Sequence, residues 1–235
     1  MKKRIVLGGI TGKMGGFLLP GLEAHPNFTV AAGVSQKEDL SGDIPIYSDI
    51  DKLLDQVEFD LYLDFTVYDF SIQVCEIMLK RGIPIVVGTT GFTKKDLDYL
   101  QKLARESNTC GVIAPNFSLG ILLLHQFSKT ATKFFKNFAI YEYHHLTKHD
   151  NPSGTANYLV EAIDASVGQP ITDVHGMRLP GVLATHTVIM SDETQKIELT
   201  HQSNNRYSFE EGVLLVMEKL DDLQDLVYGL EHVLH

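Results

Sequence analysis

Short apolar runs alternate with amphipathic segments through the first half of the chain. The runs are rich in branched and aromatic residues, as buried strands are, and they cover residues 4–7, 28–34, 60–66, 83–87 and 110–114. Between them apolar residues recur at helical spacing, most clearly over residues 69–80 and 95–106. Strands that alternate with helices predict an α/β fold with a parallel, doubly wound sheet.

The pattern changes after residue 118. A long apolar helix is predicted over residues 119–135, and a second helix begins near residue 154 and ends at Gly168. Four strands with few helices between them are predicted at residues 138–143, 174–179, 185–191 and 195–201. This order predicts a central α+β domain with an open, largely antiparallel or mixed sheet. Two closing helices are predicted at residues 209–220 and 223–234.

A glycine-rich segment directly follows the first predicted strand. Gly9, Gly12 and Gly15 are spaced three apart, in a relative of the dinucleotide-binding fingerprint. Glycines let the backbone approach a pyrophosphate, and the N-terminus of the next helix stabilises the negative charge. The alternative interpretation is a tight turn without a ligand. Pro20 and Gly21 are unfavourable inside a helix and are expected to end or kink this one.

The end of the second predicted strand bears on the choice of nucleotide. An acidic side chain there would bind the adenosine ribose of NAD, but the sequence has Ser35 and, two residues on, Lys37. Neither repels a 2′-phosphate and both can bind one, so we expect NADPH, or both NADPH and NADH. A solvated loop position would explain Lys37 equally well.

Polar or glycine-containing turns follow three more strands, at residues 64–66, 88–90 and 114–117. The carboxyl ends of parallel strands meet at one edge of a sheet, where ligands bind. Each segment alone is ordinary turn chemistry. Together with the glycine-rich segment they predict a single binding edge.

Residues 140–155 join a strand, a cationic loop and the start of a helix. The loop carries His144, His145 and Lys148, and residues 153–155 fall in the first turn of the helix. Imidazoles exchange protons near neutral pH, and free backbone N–H groups bind anions. The segment therefore predicts a seat for a carboxylate or phosphate beside an acid–base group. Singly, such residues are more often helix caps and surface histidines, and zinc is less favoured because no cysteine pair accompanies the histidines.

The composition narrows the class of protein. The chain has 235 residues, 44% of them hydrophobic, and a net charge of −10, which argues against a broad nucleic-acid surface. The longest aliphatic run, residues 121–124, is far too short to cross a membrane. Cys75 and Cys110 lack metal-binding spacing and are expected to be reduced thiols in the cytoplasm.

Together these motifs resemble the 4-hydroxy-tetrahydrodipicolinate reductase (dihydrodipicolinate reductase) family over nearly the whole chain. The most specific match comprises Glu142, His144, His145, Lys148, Asp150 and residues 152–156. Supporting blocks lie at residues 9–15, 64–66, 88–92, 116–120, 178–181 and 201–206.

The resemblance implies a Rossmann-like dinucleotide-binding domain over residues 1–117 and 209–235, and a substrate-binding and oligomerisation domain over residues 118–208, in a homotetramer. Cofactor contacts are expected from Gly9, Ile10, Thr11, Gly12, Lys13, Met14, Ser35, Gly88, Thr89, Thr90, Ala114, Pro115, Asn116 and Phe117. Substrate contacts are expected from His145, Ser153, Gly154 and Thr155, with Arg206 a further candidate. His144 and Lys148 match the positions of the family's proton donors.

The implied activity is the reduction, by NADPH or NADH, of a cyclic, conjugated, dicarboxylated imine in the diaminopimelate route to lysine. One alternative is another two-domain dehydrogenase, which would not be expected to carry the loop at residues 144–155. A second is a non-catalytic nucleotide sensor, against which the intact His144 and Lys148 argue. A third is a lyase or hydrolase that uses the histidines alone, which leaves the glycine-rich segment unexplained.

Overall fold

The computed structural model describes residues 2–168, 170, 171 and 173–234. The chain divides into two compact units. The first reaches to Ala114 and resumes at Val213, and the second runs from Pro115 to Gly212. Across the described residues, the helices are all too short or too polar to cross a membrane.

The described residues form eleven strands and seven α-helices. The strands are β1 (Lys3–Gly8), β2 (Phe28–Val34), β3 (Ile46–Tyr47), β4 (Leu61–Asp64), β5 (Ile85–Val87), β6 (Gly111–Ile113), β7 (Asn137–His144), β8 (Val174–Arg178), β9 (Ala184–Ser191), β10 (Lys196–Ser203) and β11 (Leu226–Tyr228). The helices are α1 (Lys13–Ala24), α2 (Ile50–Gln56), α3 (Tyr68–Lys80), α4 (Lys94–Glu106), α5 (Leu119–Ala131), α6 (Gly154–Val167) and α7 (Tyr207–Lys219). Two 3-10 turns follow α7, at Leu220–Asp222 and Leu230–His232.

The first unit is built on a seven-stranded sheet in the order β11-β6-β5-β4-β1-β2-β3, and every neighbouring pair is parallel. The apolar side chains of β1, β4 and β5 are almost completely buried, which explains why the sequence shows them as continuous apolar runs. Strand β1 lies between β2 and β4, where the strand order reverses, and the glycine-rich segment follows it. The predicted parallel, doubly wound sheet is confirmed.

The second unit has a four-stranded sheet in the order β10-β9-β7-β8. Strands β7 and β8 are parallel, and the other two pairs are antiparallel, so the predicted mixed sheet is confirmed. Its apolar core joins α5 and α6 to the sheet, through residues that include Ile121, Ile140, Leu159 and Val188. Alternate residues of β7 are buried, so the face that carries Phe138 and Ile140 also carries Glu142 and His144.

Three predicted helices differ from the structure. Helix α1 does not end at Pro20, since it continues to Ala24 with Leu18 and Leu22 each 1% exposed on one face. Helix α5 stops at Ala131 instead of residue 135. The predicted helix at residues 223–234 is wrong: β11 pairs there with β6, and Gly229, at φ 97°, prevents helical continuation.

Two short elements were not predicted. Strand β3 has only two residues, too few for an alternating pattern. Helix α2 does carry a sequence signal, because the Asp49 carboxylate caps it by accepting hydrogen bonds from the backbone N–H of Asp51 and Lys52 at 2.8 and 3.1 Å.

Gly15→Ala should destabilise the first unit. A Cβ at this position would lie 2.1 Å from the carbonyl oxygen of Gly9, a backbone atom that cannot move aside cheaply. Gly16→Ala is the matched control, because its nearest neighbour would be 3.8 Å away and alanine favours a helix over glycine by about 0.5–1 kcal/mol. Thermal unfolding should show a lower midpoint for Gly15→Ala only. Equal midpoints would contradict the close packing of this turn.

Candidate functional site

The glycine-rich segment forms a tight turn between β1 and α1. Gly9 has φ 77°, a left-handed conformation that favours glycine, and its carbonyl accepts a hydrogen bond from Gly12 N–H at 2.8 Å. Gly12 stands at the N-cap of α1, where none of the described side chains caps the helix. The backbone N–H groups of this first turn therefore have no side-chain acceptor at the cap, and the partial positive charge there favours an anion.

Hydroxyl groups stand where an NAD-specific site would carry an acid. Ser35, at the end of β2, contacts Thr11 of the glycine-rich turn, with 2.6 Å between Oγ and Oγ1. The nearest acids along the chain are engaged elsewhere: Glu38 pairs with Lys52 at 2.9 Å, and Asp39 accepts hydrogen bonds from Ser41. The Ser35 position is therefore polar and uncharged.

A buried carboxylate holds two of the predicted binding turns together. Asp64 accepts hydrogen bonds from Thr66 Oγ1 at 2.8 Å and Thr89 Oγ1 at 2.7 Å, and from Ser71. Thr89 Oγ1 in turn accepts the backbone N–H of Thr66 at 2.9 Å. Burial raises the pKa of Asp64, and these hydrogen bonds oppose the rise. The Thr89 side chain thus fixes the turns after β4 and β5 to each other.

The predicted cofactor residues differ in exposure. Four are exposed (Thr11, Gly12, Lys13 and Thr90), six are half-buried (Gly9, Met14, Ser35, Gly88, Pro115 and Asn116) and four are buried (Ile10, Thr89, Ala114 and Phe117). Ile10 packs over Gly33, where a Cβ would lie 2.5 Å from its side chain. Pro115, Asn116 and Phe117 belong to the second unit, and the others belong to the first.

In the second unit, the Glu142 carboxylate is the centre of a buried polar cluster. It is 0% exposed and accepts hydrogen bonds from Ser153, through the hydroxyl and through the backbone N–H at 2.9 Å. His186 Nε2 lies 3.4 Å from Oε2, and Arg178 Nη2 lies 3.4 Å from Oε1. His144 Nδ1 lies 3.7 Å from Oε2. A buried charge needs such partners, and Glu142 has them on every side.

Lys148 lies beside Asp150 in the loop after β7. The two side chains form an ion pair with an N–O distance of 2.7 Å, and Lys148 is about one-third exposed. Asp150 Oδ2 also accepts the backbone N–H of Gly154 at 3.3 Å. Arg178 holds the loop through the carbonyl oxygens of Lys148, at 3.2 Å, and Asp150. The Asp150 carboxylate thus contacts both the Lys148 ammonium group and the backbone at the start of α6.

The structure brings the remaining predicted substrate residues to the start of α6 and the neighbouring loop. Ser153 caps α6 by accepting a hydrogen bond from Ala156 N–H at 3.1 Å and is only 1% exposed. Its hydroxyl and its backbone N–H both donate to Glu142. Thr155 Oγ1 accepts a hydrogen bond from Asn116 Nδ2 at 3.0 Å. His145 contacts Thr147 through Nδ1 at 2.8 Å. Arg206, the residue directly before α7, is half-buried.

The protonation states of the cluster differ from those of free side chains. Burial alone would raise the pKa of Glu142, but hydrogen bonds from His186 and Ser153 and the charge of His144 together lower it to about 2. Burial, with His186, Lys148 and Arg178 nearby, lowers the pKa of His144 to about 4, against the opposing effect of Glu142. At neutral pH the cluster is a carboxylate beside a neutral imidazole.

Sequence reasoning missed His186. This residue lies opposite Glu142 in the β7–β9 pairing, and it alternates along β9 with the buried Val188 and Met190. The sequence feature that could have identified His186 is its position, because the alternation along β9 predicts an apolar residue there. Glu142, His144 and His186 offer ligand atoms within 4.8 Å of one another. This set shares only His144 with the three histidines of the predicted loop, His144, His145 and His149.

Two family models match almost the whole chain. One is described as dihydrodipicolinate reductase, N-terminus, and matches residues 3–117. The other is described as dihydrodipicolinate reductase, C-terminus, and matches residues 120–234.

Curated relatives and a solved structure agree with these matches. The chain is 36% identical to a 4-hydroxy-tetrahydrodipicolinate reductase of Lactococcus lactis subsp. cremoris, over 99% of this chain and 98% of the relative. It is 34% identical to one of Bacillus cytotoxicus, over 98% of each. The fold is similar to that of a dipicolinate-bound dihydrodipicolinate reductase from Paenisporosarcina sp. TG-14, with a TM-score of 0.85, 29% identity and full coverage of both chains.

Stability should fall between pH 6.5 and pH 4.5 because of His144. Its pKa is about 4 in the folded chain and about 6.5 when exposed, so the unfolded chain binds a proton first as the pH falls. The loss approaches about 1.4 kcal/mol per pH unit within this window. Glu142 titrates below it, since its folded pKa is about 2.

His144→Gln should flatten that dependence, as measured by urea unfolding at a series of pH values. His149→Gln is the control, because His149 is an exposed histidine of the same loop. An unchanged slope in His144→Gln would show that another group causes the acid sensitivity.

Proposed function

The chain belongs to the dihydrodipicolinate reductase family, and from this premise we propose that His144 and Lys148 serve as proton donors when it reduces 4-hydroxy-tetrahydrodipicolinate. The activity makes it an oxidoreductase of the diaminopimelate route to lysine. The product is tetrahydrodipicolinate, and the electrons come from a nicotinamide cofactor.

The observation that carries this assignment of roles is the grouping of His144, Lys148 and the start of α6 in one unit. The substrate is a ring with two carboxylates, and the related structure from Paenisporosarcina is described as bound to dipicolinate, also a ring dicarboxylate. Here Asp150 already occupies the Gly154 N–H and the Lys148 ammonium. We propose that a substrate carboxylate takes these positions, with His145, Ser153 and Thr155 around it and Arg206 as a further candidate.

The reaction requires one hydride and one proton. The substrate hydroxyl leaves as water, which creates a conjugated imine. A bound nicotinamide cofactor would supply the hydride to the ring, and the electron density that moves toward the ring nitrogen would be met by a proton. His144 supplies that proton, while the charge of Lys148 lowers the energy of developing negative charge and can supply a proton in turn. Two carboxylates near His144 raise its pKa, so the imidazole takes up its proton when substrate binds.

We assign the nucleotide to residues 1–117 and 209–235, and the substrate and oligomer contacts to residues 118–208. The glycine-rich turn from Gly9 to Met14 would hold the pyrophosphate, with the turns at residues 88–90 and 114–117 around the nicotinamide ribose. The hydroxyls of Ser35 and Thr11 can donate hydrogen bonds to a 2′-phosphate or to a ribose hydroxyl, so we propose NADPH, or both NADPH and NADH.

We further propose that the protein is a cytoplasmic homotetramer. The second unit carries exposed large apolar side chains on or beside its sheet, at Met177, Leu179 and Ile197. Exposed apolar groups on a sheet are suited to pairing with another copy of the chain.

His144→Gln and Lys148→Met should each lower kcat, by about 100- to 10,000-fold for the histidine, since a general acid contributes that much. The measurement is oxidation of NADPH at 340 nm, with substrate generated from pyruvate and aspartate semialdehyde by the preceding synthase. His149→Gln and Lys133→Met are the matched controls, because both side chains are exposed.

Full activity in His144→Gln would remove the proton-donor assignment. Nucleotide binding without turnover in the unmodified protein would instead favour the sensor, or a dehydrogenase with another substrate.

Ser35→Asp should shift preference toward NADH. A carboxylate at this position repels a 2′-phosphate and accepts hydrogen bonds from a ribose, so the ratio of kcat/KM for NADPH to that for NADH should fall about tenfold or more. Ser35→Ala is the control, because it removes the hydroxyl without adding charge. If both variants kept the original ratio, the nucleotide would lie elsewhere.

A further inference from the structure

We propose that Glu142, held in place by His186 and Ser153, is a positioning residue that orients His144 and stabilises its protonated form during the reduction. This inference rests on the proposed role of His144 as proton donor. It adds a buried carboxylate and a second histidine to the residues on which the reaction depends, both of them acting through His144.

Strand register brings the cluster together. Glu142 and His144 are two residues apart on β7 and therefore share a face. Glu142 pairs with His186 across to β9 and with Gly176 across to β8. A Cβ at Gly176 would lie 2.9 Å from Glu142 Oε1 and clash with Asn151, so glycine leaves the room that the carboxylate needs.

The decisive observation is the environment of His144 Nδ1. This atom is buried and has no hydrogen-bond partner among the described residues, yet Glu142 Oε2 lies 3.7 Å away. A buried polar atom without a partner costs free energy, and a carboxylate so close can remove that cost once Nδ1 carries a proton. Catalytic hydrogen bonds are often long without ligand and shorten in the complex. With Nδ1–H directed at Glu142, Nε2 is the nitrogen left to face a substrate.

Three donors from two residues, Ser153 and His186, hold Glu142 in place. Ser153 donates to it through its hydroxyl and through its backbone N–H at 2.9 Å. His186 Nε2 lies 3.4 Å from Oε2, within 3.3 Å of the same hydroxyl, and its ring is 5.1 Å from that of His144, at an edge-on angle of 76°. These donors keep the carboxylate ionised and in one orientation, so it can direct a neighbouring imidazole.

Charge explains why His144 needs this carboxylate. The groups that face it are cationic or can become so: Lys148 from its loop, Arg178 from β8 and His186 from β9, with His201 next to His186 on β10. Lys148, Arg178 and His186 oppose protonation of His144, as burial does. Glu142 is the opposing negative charge that is built into the fold. The dicarboxylate substrate adds the rest when it binds.

Glu142, His144 and His186 do not fit a cation site. Arg178 lies 3.4 Å from Glu142 Oε1, and Ser153 already occupies Oε2, so a metal ion would have to displace a hydroxyl and tolerate a neighbouring guanidinium. The geometry points to a proton-handling cluster and not to a metal centre.

Glu142→Gln tests the proposal, because it removes the charge and keeps the shape. We expect kcat to fall at least tenfold with KM changed less than threefold. The protonated imidazole is the active form, so kcat falls as the pH rises through the pKa of His144 in the complex. Loss of the carboxylate lowers that pKa, and the alkaline limb of kcat should move to lower pH by about one unit. Glu198→Gln is the matched control, an exposed carboxylate on β10 of the same sheet.

Three results would overturn the inference. One is a uniform loss of activity in Glu142→Gln with an unmoved pH profile, which indicates a structural role only. Another is a wild-type rate in that variant while His144→Gln is inactive, which refutes the inference and leaves the proton-donor role intact. The third is loss of wild-type activity in a chelator that Zn²⁺ restores. An inactive Glu142→Gln and a fully active His144→Gln would instead refute the proposed function.

A measurement on the unmodified protein tests the same proposal without depending on correct folding of the variant. With ¹⁵N-labelled histidine, NMR should show the neutral His144 ring protonated at Nδ1, and titration with dipicolinate should protonate Nε2 as well. A ring protonated at Nε2 alone in the free protein would contradict the proposed orientation.

Discussion

The second unit depends on one buried negative charge. Glu142 is completely enclosed, and a carboxylate in that position is tolerated only if hydrogen bonds and opposite charges replace the water it has lost. Its partners come from a neighbouring strand on each side and from the first residue before α6. The mixed sheet, the cap of α6 and the cationic loop after β7 are therefore coupled through a single side chain. Loss of any one partner would leave the charge less compensated.

The first unit contains a buried carboxylate of its own. Asp64, at the carboxyl end of β4, is also fully buried and is surrounded by hydroxyl groups from Thr66, Ser71 and Thr89. The two carboxylates differ in their surroundings. Asp64 has neutral donors, and burial raises its pKa, whereas Glu142 has imidazoles and a guanidinium nearby and its pKa is lowered to about 2. The first ties binding turns together, and the second stands beside the proposed acid.

The local positive charge near α6 explains how a chain with a negative net charge can bind a substrate with two carboxylates. The net charge of −10 would repel a dicarboxylate at long range. The loop after β7, which leads into α6, instead carries Lys148, His145 and His149, and Arg178 of β8 donates hydrogen bonds to its backbone. Asp150 neutralises part of that charge, as its ion pair with Lys148 shows. In the proposed binding mode, a substrate carboxylate would replace Asp150 beside Lys148, so the cationic loop would compensate its charge.

Sequence alone determined the elements whose physical signal is local. Apolar runs located β2 and most other strands of the first unit, and period-3.6 patterns located α4 and most other helices. The glycine spacing located the turn after β1, and the run from Glu142 to Thr155 indicated the family. The sequence did not predict β11, because its three residues form a strand only through their pairing with β6. It also missed His186, which lies 44 residues from Glu142 along the chain and meets it only through the register of β7 and β9. Tertiary structure alone decided which hydroxyls, imidazoles and cations surround each buried carboxylate, because that depends on contacts between distant segments and not on spacing along the chain.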